Sequence, residues 1–189
     1  MALADGGGLQ AVTMRAVADS LGLRAASLYR YVDSRAELLE LMADSALAEL
    51  QLPVPDEGPW DGQLLAIAHE QRRIYRRHPW LLDATRATGA FGPNALRFFD
   101  ACLAILTPLD VPTSRKMEAL AMMTGVVTLF AAPPPSEGVD PSRLFAAAVA
   151  DPSAFPHLWQ ALAEPAGGGP VPEELFDRTV SAVLTGLLA

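Results

Sequence analysis

The run from Thr13 to Val32, TMRAVADSLGLRAASLYRYV, leaves the chain few ways to fold. Val17, Ala18 and Leu21 place an apolar face on one short helix. Gly22 follows at the point where a tight turn needs a backbone that other residues resist. Leu23 and Leu28 are expected to anchor a second helix, reaching Val32, across the small side chain of Ala18. Arg24, Ala25, Ala26, Ser27, Tyr29 and Arg30 are then left on or near the outward side. A helix-turn-helix lays such a surface in the major groove of DNA. An ordinary helical hairpin inside an all-α core shares single features of this run, but not the combination at these offsets.

The next segment extends the pattern. Ser34 and Glu37 have the spacing of a capping box, and the apolar run Leu38, Leu39, Leu41, Met42 follows. This predicts a helix from about Ser34 to about Leu52. Its positive N-terminal end lies beside Arg35, a combination suited to a phosphate. The segment resembles the TetR family of one-component bacterial transcriptional regulators. The residues that carry the resemblance are Thr13-Met14-Arg15, Val17-Ala18, Leu21-Gly22-Leu23, Ser27 to Val32, and Ser34 to Leu39, within residues 9–42. Beyond residue 42 the similarity lies in the order of helices, in the manner of the tetracycline-repressor branch.

The resemblance implies an all-α, two-domain protein. Residues 1–52 would form a helix-turn-helix DNA-binding domain, and residues 53–189 a helical ligand-binding and dimerisation domain. It implies a homodimeric, cytoplasmic repressor that binds palindromic operator DNA, is released by a small effector, and needs no metal or other cofactor. The DNA contacts would come from Thr13, Arg15, Arg24, Ala25, Ala26, Ser27, Tyr29, Arg30 and Arg35. Such regulators carry a whole helix before the helix-turn-helix. Here Met1-Ala-Leu-Ala4 precedes Asp5-Gly-Gly-Gly8, so residues 2–6 are expected to form only the tail of that helix. A dimeric helical ligand-binding or interaction protein without DNA binding is the alternative this leaves open.

Charge is consistent with a confined DNA-facing patch. The net charge is −8, which argues against a general nucleic-acid binder. Residues 13–35 nevertheless hold four arginines (Arg15, Arg24, Arg30, Arg35) against two acids, Asp19 and Asp33. From residue 36 to 52 there are only acids: Glu37, Glu40, Asp44 and Glu49. No apolar run reaches the roughly 18 residues of a membrane span. No charged segment followed by an apolar one marks a secretory signal. The single cysteine, Cys102, excludes an internal disulfide.

Leu52 to Pro59, with three prolines and a glycine, reads as a linker. Helices are predicted from Asp61, as cap, to His78; near Trp80 to Arg86; from Pro93 to about Leu109; and from Thr113 to about Ala131. Shorter ones are predicted at Pro141–Val149 and Pro156–Ala163, and a last one at Glu173–Leu188. Loops are expected at 133–138 and 165–172. The helix from Thr113 shows two apolar stripes, one with Met117, Leu120, Ala121, Thr124 and Thr128, the other with Met122, Met123, Val126, Val127 and Phe130. A helix apolar on two sides is buried on two sides. Family similarity makes Val126, Val127 and Phe130, with Thr179, Ala182, Val183 and Gly186 of the last helix, the candidate dimer seam.

Candidate effector contacts are His69, Arg73, Phe98, Phe99, Cys102, Met122, Met123 and Thr124, a set rich in Phe and Met that suits an apolar, aromatic ligand. Arg72, Arg76 and Arg77 fit a solvated face with i,i+4 pairing. Enzymatic motifs are missing. The Gly6–Gly8 run follows no strand, there is no G-x-S-x-G or H-E-x-x-H, and His69, His78 and His157 lack metal-ligand spacing.

Overall fold

A computed structural model describes residues 1–53, 58–87, 92–132, 146, 150, 151, 153–163 and 173–189. These contain helices and no strand. In chain order the helices are α1 (Ala2–Gly7), a 3-10 turn (Leu9–Ala11), α2 (Met14–Ser20), α3 (Ala25–Leu28), α4 (Arg35–Leu47), α5 (Trp60–Arg77), α6 (Leu81–Ala87), α7 (Pro93–Ile105), α8 (Thr113–Ala131), α9 (Pro156–Ala163) and α10 (Glu173–Leu188). Two compact units result. One is Met1–Ala132 with Phe176–Ala189, and the other is Pro133–Leu175. The loops expected at 133–138 and 165–172, and nearly all of the helix expected at 141–149, lie outside the described residues.

Several helices start where local chemistry dictates. Thr13 Oγ1 accepts the amide of Ala16 (3.1 Å) and Ser34 Oγ accepts that of Glu37 (3.1 Å), so both are side-chain N-caps. The Glu37 carboxylate reaches back to the amide of Asp33 (2.7 Å), one residue before the cap. Pro93 occupies the first turn of α7, where its missing N–H costs nothing. Asp61 is not the cap of α5. That place belongs to Pro59, whose carbonyl accepts the amide of Gln63, while Asp61 binds its neighbour Gly62. Three helices end earlier than the apolar pattern implies, α3 at Leu28, α4 at Leu47 and α7 at Ile105. Their last apolar residues continue as hydrogen-bonded turns; Val32 is still buried and its amide still reaches the carbonyl of Leu28.

In the larger unit α5 packs along α8, and α4 packs on α6 and α7. Leu64, Ile67 and Ile74 of α5, Leu120, Met123 and Val127 of α8, and Phe176, Val180 and Leu184 of α10 are fully shielded. Each such side chain contributes about 1.5–3 kcal/mol of transfer free energy. The apolar pattern of α8 therefore resolves differently from its two expected stripes. Met123 and Val127 turn into the core of their own protomer, whereas Met122 and Leu129 are 56% and 73% exposed.

α1 is held by a polar knot. Asp5 Oδ1 accepts from the indole Nε1 of Trp80 (2.6 Å) and lies 2.6 Å from His78 Nδ1, while His78 Nε2 faces Glu49 (3.3 Å). His78 is almost fully buried. Burial pushes the Asp5 carboxyl up, but hydrogen bonds from His78 and Trp80 outweigh this and hold it below its ordinary value. A lowered folded-state value means the contact stabilises fully above the ordinary carboxylate range and is lost as pH falls through and below it. The unfolding temperature of the wild type is therefore expected to fall as pH drops below about 4, and to fall less in Asp5→Asn. Identical pH slopes for the two proteins would show that the knot adds nothing.

Candidate nucleic-acid interface and ligand cavity

The turn after α2 is a complete Schellman arrangement. The amide of Gly22 bonds to the carbonyl of Asp19 (3.1 Å), that of Leu23 to Ala18 (2.8 Å), and Gly22 has φ 68°. Ala18 is fully buried and Leu28 nearly so, so α3 crosses α2 closely. Leu21 and Leu23 do not join that core; they are 61% and 41% exposed. The reason is the same turn. α2 has ended at Ser20, and residues in the motif no longer follow the helical periodicity that would bury them.

Arg24, Tyr29 and Arg30 stand exposed around α3 with Ala26, and Ala25 and Ser27 are half-buried on the same short helix. Tyr31 is 73% exposed beside them. Arg15 is exposed on α2 and lies 3.9 Å from Asp19. Thr13 sits at the N-terminal end of α2. Arg35 has a task other than the expected phosphate. Its Nε donates to the carbonyl of Val12 (2.7 Å) and its Nη2 to that of Leu9 (2.6 Å), which ties α4 to the segment entering α2. A guanidinium fork engaged by two carbonyls is already oriented, and its orientation serves the protein.

Behind the head, residues of α4 to α8 line a half-open cavity of about 240 Å³. Of the eight sequence candidates, Phe98, Phe99 and Thr124 line it. The other five are placed elsewhere, each for a packing or pairing reason. His69 Nε2 meets Asp177 of α10 at 2.8 Å and its ring packs edge-on against Phe176. Arg73 pairs with Glu70 (2.8 Å) and donates to the carbonyl of Glu49. Cys102 and Met123 are fully buried core, and Met122 points to solvent. Burial pushes the Cys102 thiol up to about 12, so it remains protonated and is no nucleophile.

Sequence reasoning missed Glu40, Asp44, Gln71, Tyr75 and Thr128, which also line the cavity. The signal for Gln71 was present. It interrupts an otherwise apolar stripe of α5, between Ala68 and Tyr75. Asp44 had no such signal. Its carboxylate accepts from the amides of Asn94 (3.0 Å) and Ala95 (3.1 Å) and from Asn94 Nδ2 (2.8 Å), so a residue of α4 caps the start of α7. A Cβ on Gly92 would run into that carboxylate.

A helix-turn-helix head joined through a shared helix to an all-α body with a half-open cavity defines a class of one-component regulator folds. Residues 1–42 match the family described as bacterial regulatory proteins, tetR family, and residues 52–189 the tetracyclin repressor-like C-terminal domain. The chain belongs to the TetR family of bacterial regulatory proteins. It is similar to the HTH-type transcriptional repressor DrrR1 of Streptomyces coeruleorubidus, with 36% identity over 126 residues, 66% of this chain and 47% of the relative. An HTH-type transcriptional regulator of Saccharopolyspora erythraea is 35% identical over 94 residues, 50% of this chain and 40% of that protein. The chain thus spans less than half the length of these two curated relatives. Among solved structures it resembles the TetR family protein ActR of Streptomyces coelicolor in complex with actinorhodin, with a TM-score of 0.83, 26% identity and coverage of 99% of this chain and 91% of that one. The ActR complex with (S)-DNPA gives a TM-score of 0.81 at the same identity, covering 99% and 92% of the two chains.

Proposed function

We propose that this chain is a ligand-responsive transcriptional repressor that binds operator DNA as a cytoplasmic homodimer and is released by a small effector in the α4–α5–α7–α8 cavity. One observation carries the reading. α4 is fastened to the head by Arg35 and also forms a wall of the cavity through Glu40 and Asp44. A ligand that favours one position of α4 over another therefore favours one placement of the head, which is the differential binding that a switch requires. The similarity to a repressor, and to a structure solved with small molecules bound, supports the same reading.

The dimer seam we assign is exposed on the protomer. Met122, Gly125 and Leu129 of α8 and Ala182 and Gly186 of α10 are open to solvent, flanked by half-buried Val126, Phe130, Thr179 and Val183. Val127 is left out of it, since it faces inward.

Selection of bound duplexes from a genomic pool tests DNA recognition and yields the operator. On that operator, Arg30→Ala is expected to cost about 1–3 kcal/mol and relax preference at one base-pair position. Arg35→Ala is expected to weaken all duplexes alike and to speed amide exchange over Leu9–Val12, whose carbonyls it grips. No enrichment of any sequence would sink the repressor reading in favour of a ligand-binding protein that does not read DNA, and two variants that bind like the wild type would take Arg30 and Arg35 out of the DNA interface.

A further inference from the structure

The chemistry of the cavity wall restricts what enters it, given the reading above that it is the effector site. Gln71 is 3% exposed and donates through Nε2 to Thr124 Oγ1 (3.3 Å), but its Oε1 is fully shielded and meets no donor. A buried amide oxygen without a partner is costly, and turning the Gln71 amide so that this oxygen meets a donor on a ligand in the cavity removes the cost. On the α4 side stand two carboxylates. Asp44 is already engaged by the start of α7, whereas Glu40 is half-buried and has no ion pair or hydrogen bond among the described residues. No Lys, Arg or His lines the cavity among the described residues. Tyr75 contributes a phenol whose dissociation burial pushes up, so it remains an O–H. Phe98 and Phe99 present rings packed edge-to-face at 5.3 Å.

We infer that the cavity accepts a planar aromatic cation that also carries a hydroxyl or N–H donor, and rejects aromatic carboxylates of the same size. The donor satisfies Gln71 Oε1, the cationic group lies against Glu40, and the ring system packs on Phe98 and Phe99, whose faces are themselves attractive to positive charge. An anion in the same place would face Glu40 and Asp44 with no cation to offset the desolvation of its charge.

The test uses the full chain and three fluorescent probes of one shape: 9-aminoacridine (cationic, with N–H donors), acridine (neutral at pH 8) and acridine-9-carboxylate (anionic). Binding is read by fluorescence titration and by the shift in unfolding temperature. The cation is expected to bind at least tenfold tighter than the carboxylate. Glu40→Gln should weaken the cation about tenfold and leave acridine unchanged. Gln71→Leu should weaken the aminoacridine and strengthen acridine, because the unpartnered oxygen is gone. Circular dichroism confirms that each variant is folded. If the carboxylate binds as well as the cation, or if neither substitution moves the cation, the inference is overturned while the cavity still stands as a ligand site. If none of the three probes binds, the cavity reading fails along with it.

Discussion

Gly186→Glu is expected to turn the proposed dimer into monomers at micromolar concentration. Gly186 is exposed on α10, and a Cβ built there meets nothing within 4 Å, so one protomer accommodates the new side chain. Replacing a glycine in a helix interior even favours the fold by roughly 0.5–1 kcal/mol. In the proposed seam the same carboxylate is forced between apolar helices, and two-fold symmetry repeats the insult. An unpaired buried charge costs several kcal/mol, enough to move an association from the nanomolar to the micromolar range or beyond. Operator affinity should fall with it, because two heads on one duplex gain from high effective concentration. Sedimentation velocity of wild type and variant decides the matter. A wild-type monomer, or a variant that stays dimeric with normal helix content, would take α10 out of the seam.

Asp44→Ala should be a strongly damaging change at a polar site of the protomer. It removes the acceptor for the amides of Asn94 and Ala95 and for the side chain of Asn94, all at the exposed donor end of α7. A lost cap costs about 0.5–2 kcal/mol, and hydrogen bonds to a charged acceptor contribute about 1.5–3 kcal/mol. A loss near 3 kcal/mol is therefore expected, visible as a drop of several degrees in unfolding temperature. The functional consequence is separate. Asp44 is the polar tie between α4 and α7 beside the cavity, so its loss should blunt the release of operator by an effector even where the effector still binds. Asp44→Asn, which keeps the shape and one acceptor, should recover part of the stability. An unfolding temperature unchanged in Asp44→Ala would show that water replaces the cap at no cost.

What the sequence revealed and what it hid divide along distance in the chain. Gly22 and Ser34 act on amides within five residues, so cap and turn chemistry placed them without a structure. Leu21 and Leu23 misled because their spacing mimics a helix that has already stopped. Arg35 misled in another way. A cation beside a helix N-terminus fits a phosphate, yet the carbonyls that claim it lie 23 and 26 positions earlier. His69 and Asp44 carry the same lesson, since their partners are Asp177 and the start of α7, 50 residues from Asp44. Phe98, Phe99 and Thr124 reached the cavity because aromatic and small polar residues on adjacent helices suit a pocket. Cys102 and Met123 have equal chemical claims and went to the core. Residue type alone does not distinguish a cavity lining from a core filling.

α3 holds four residues, one turn, and rises about 6 Å along its axis. Base pairs stack at about 3.4 Å, so in the proposed complex this helix, with the hydrogen-bonded turns that follow it to Val32, would lie against few steps of the groove. A reader with so narrow a window distinguishes few letters, and short words recur throughout any genome. On the proposed dimer, the address would be written in the grammar between words, meaning the separation and opposite orientation of two half-sites, more than in the spelling of either. Changing the distance between the heads would erase that address while leaving every side chain that touches a base in its place.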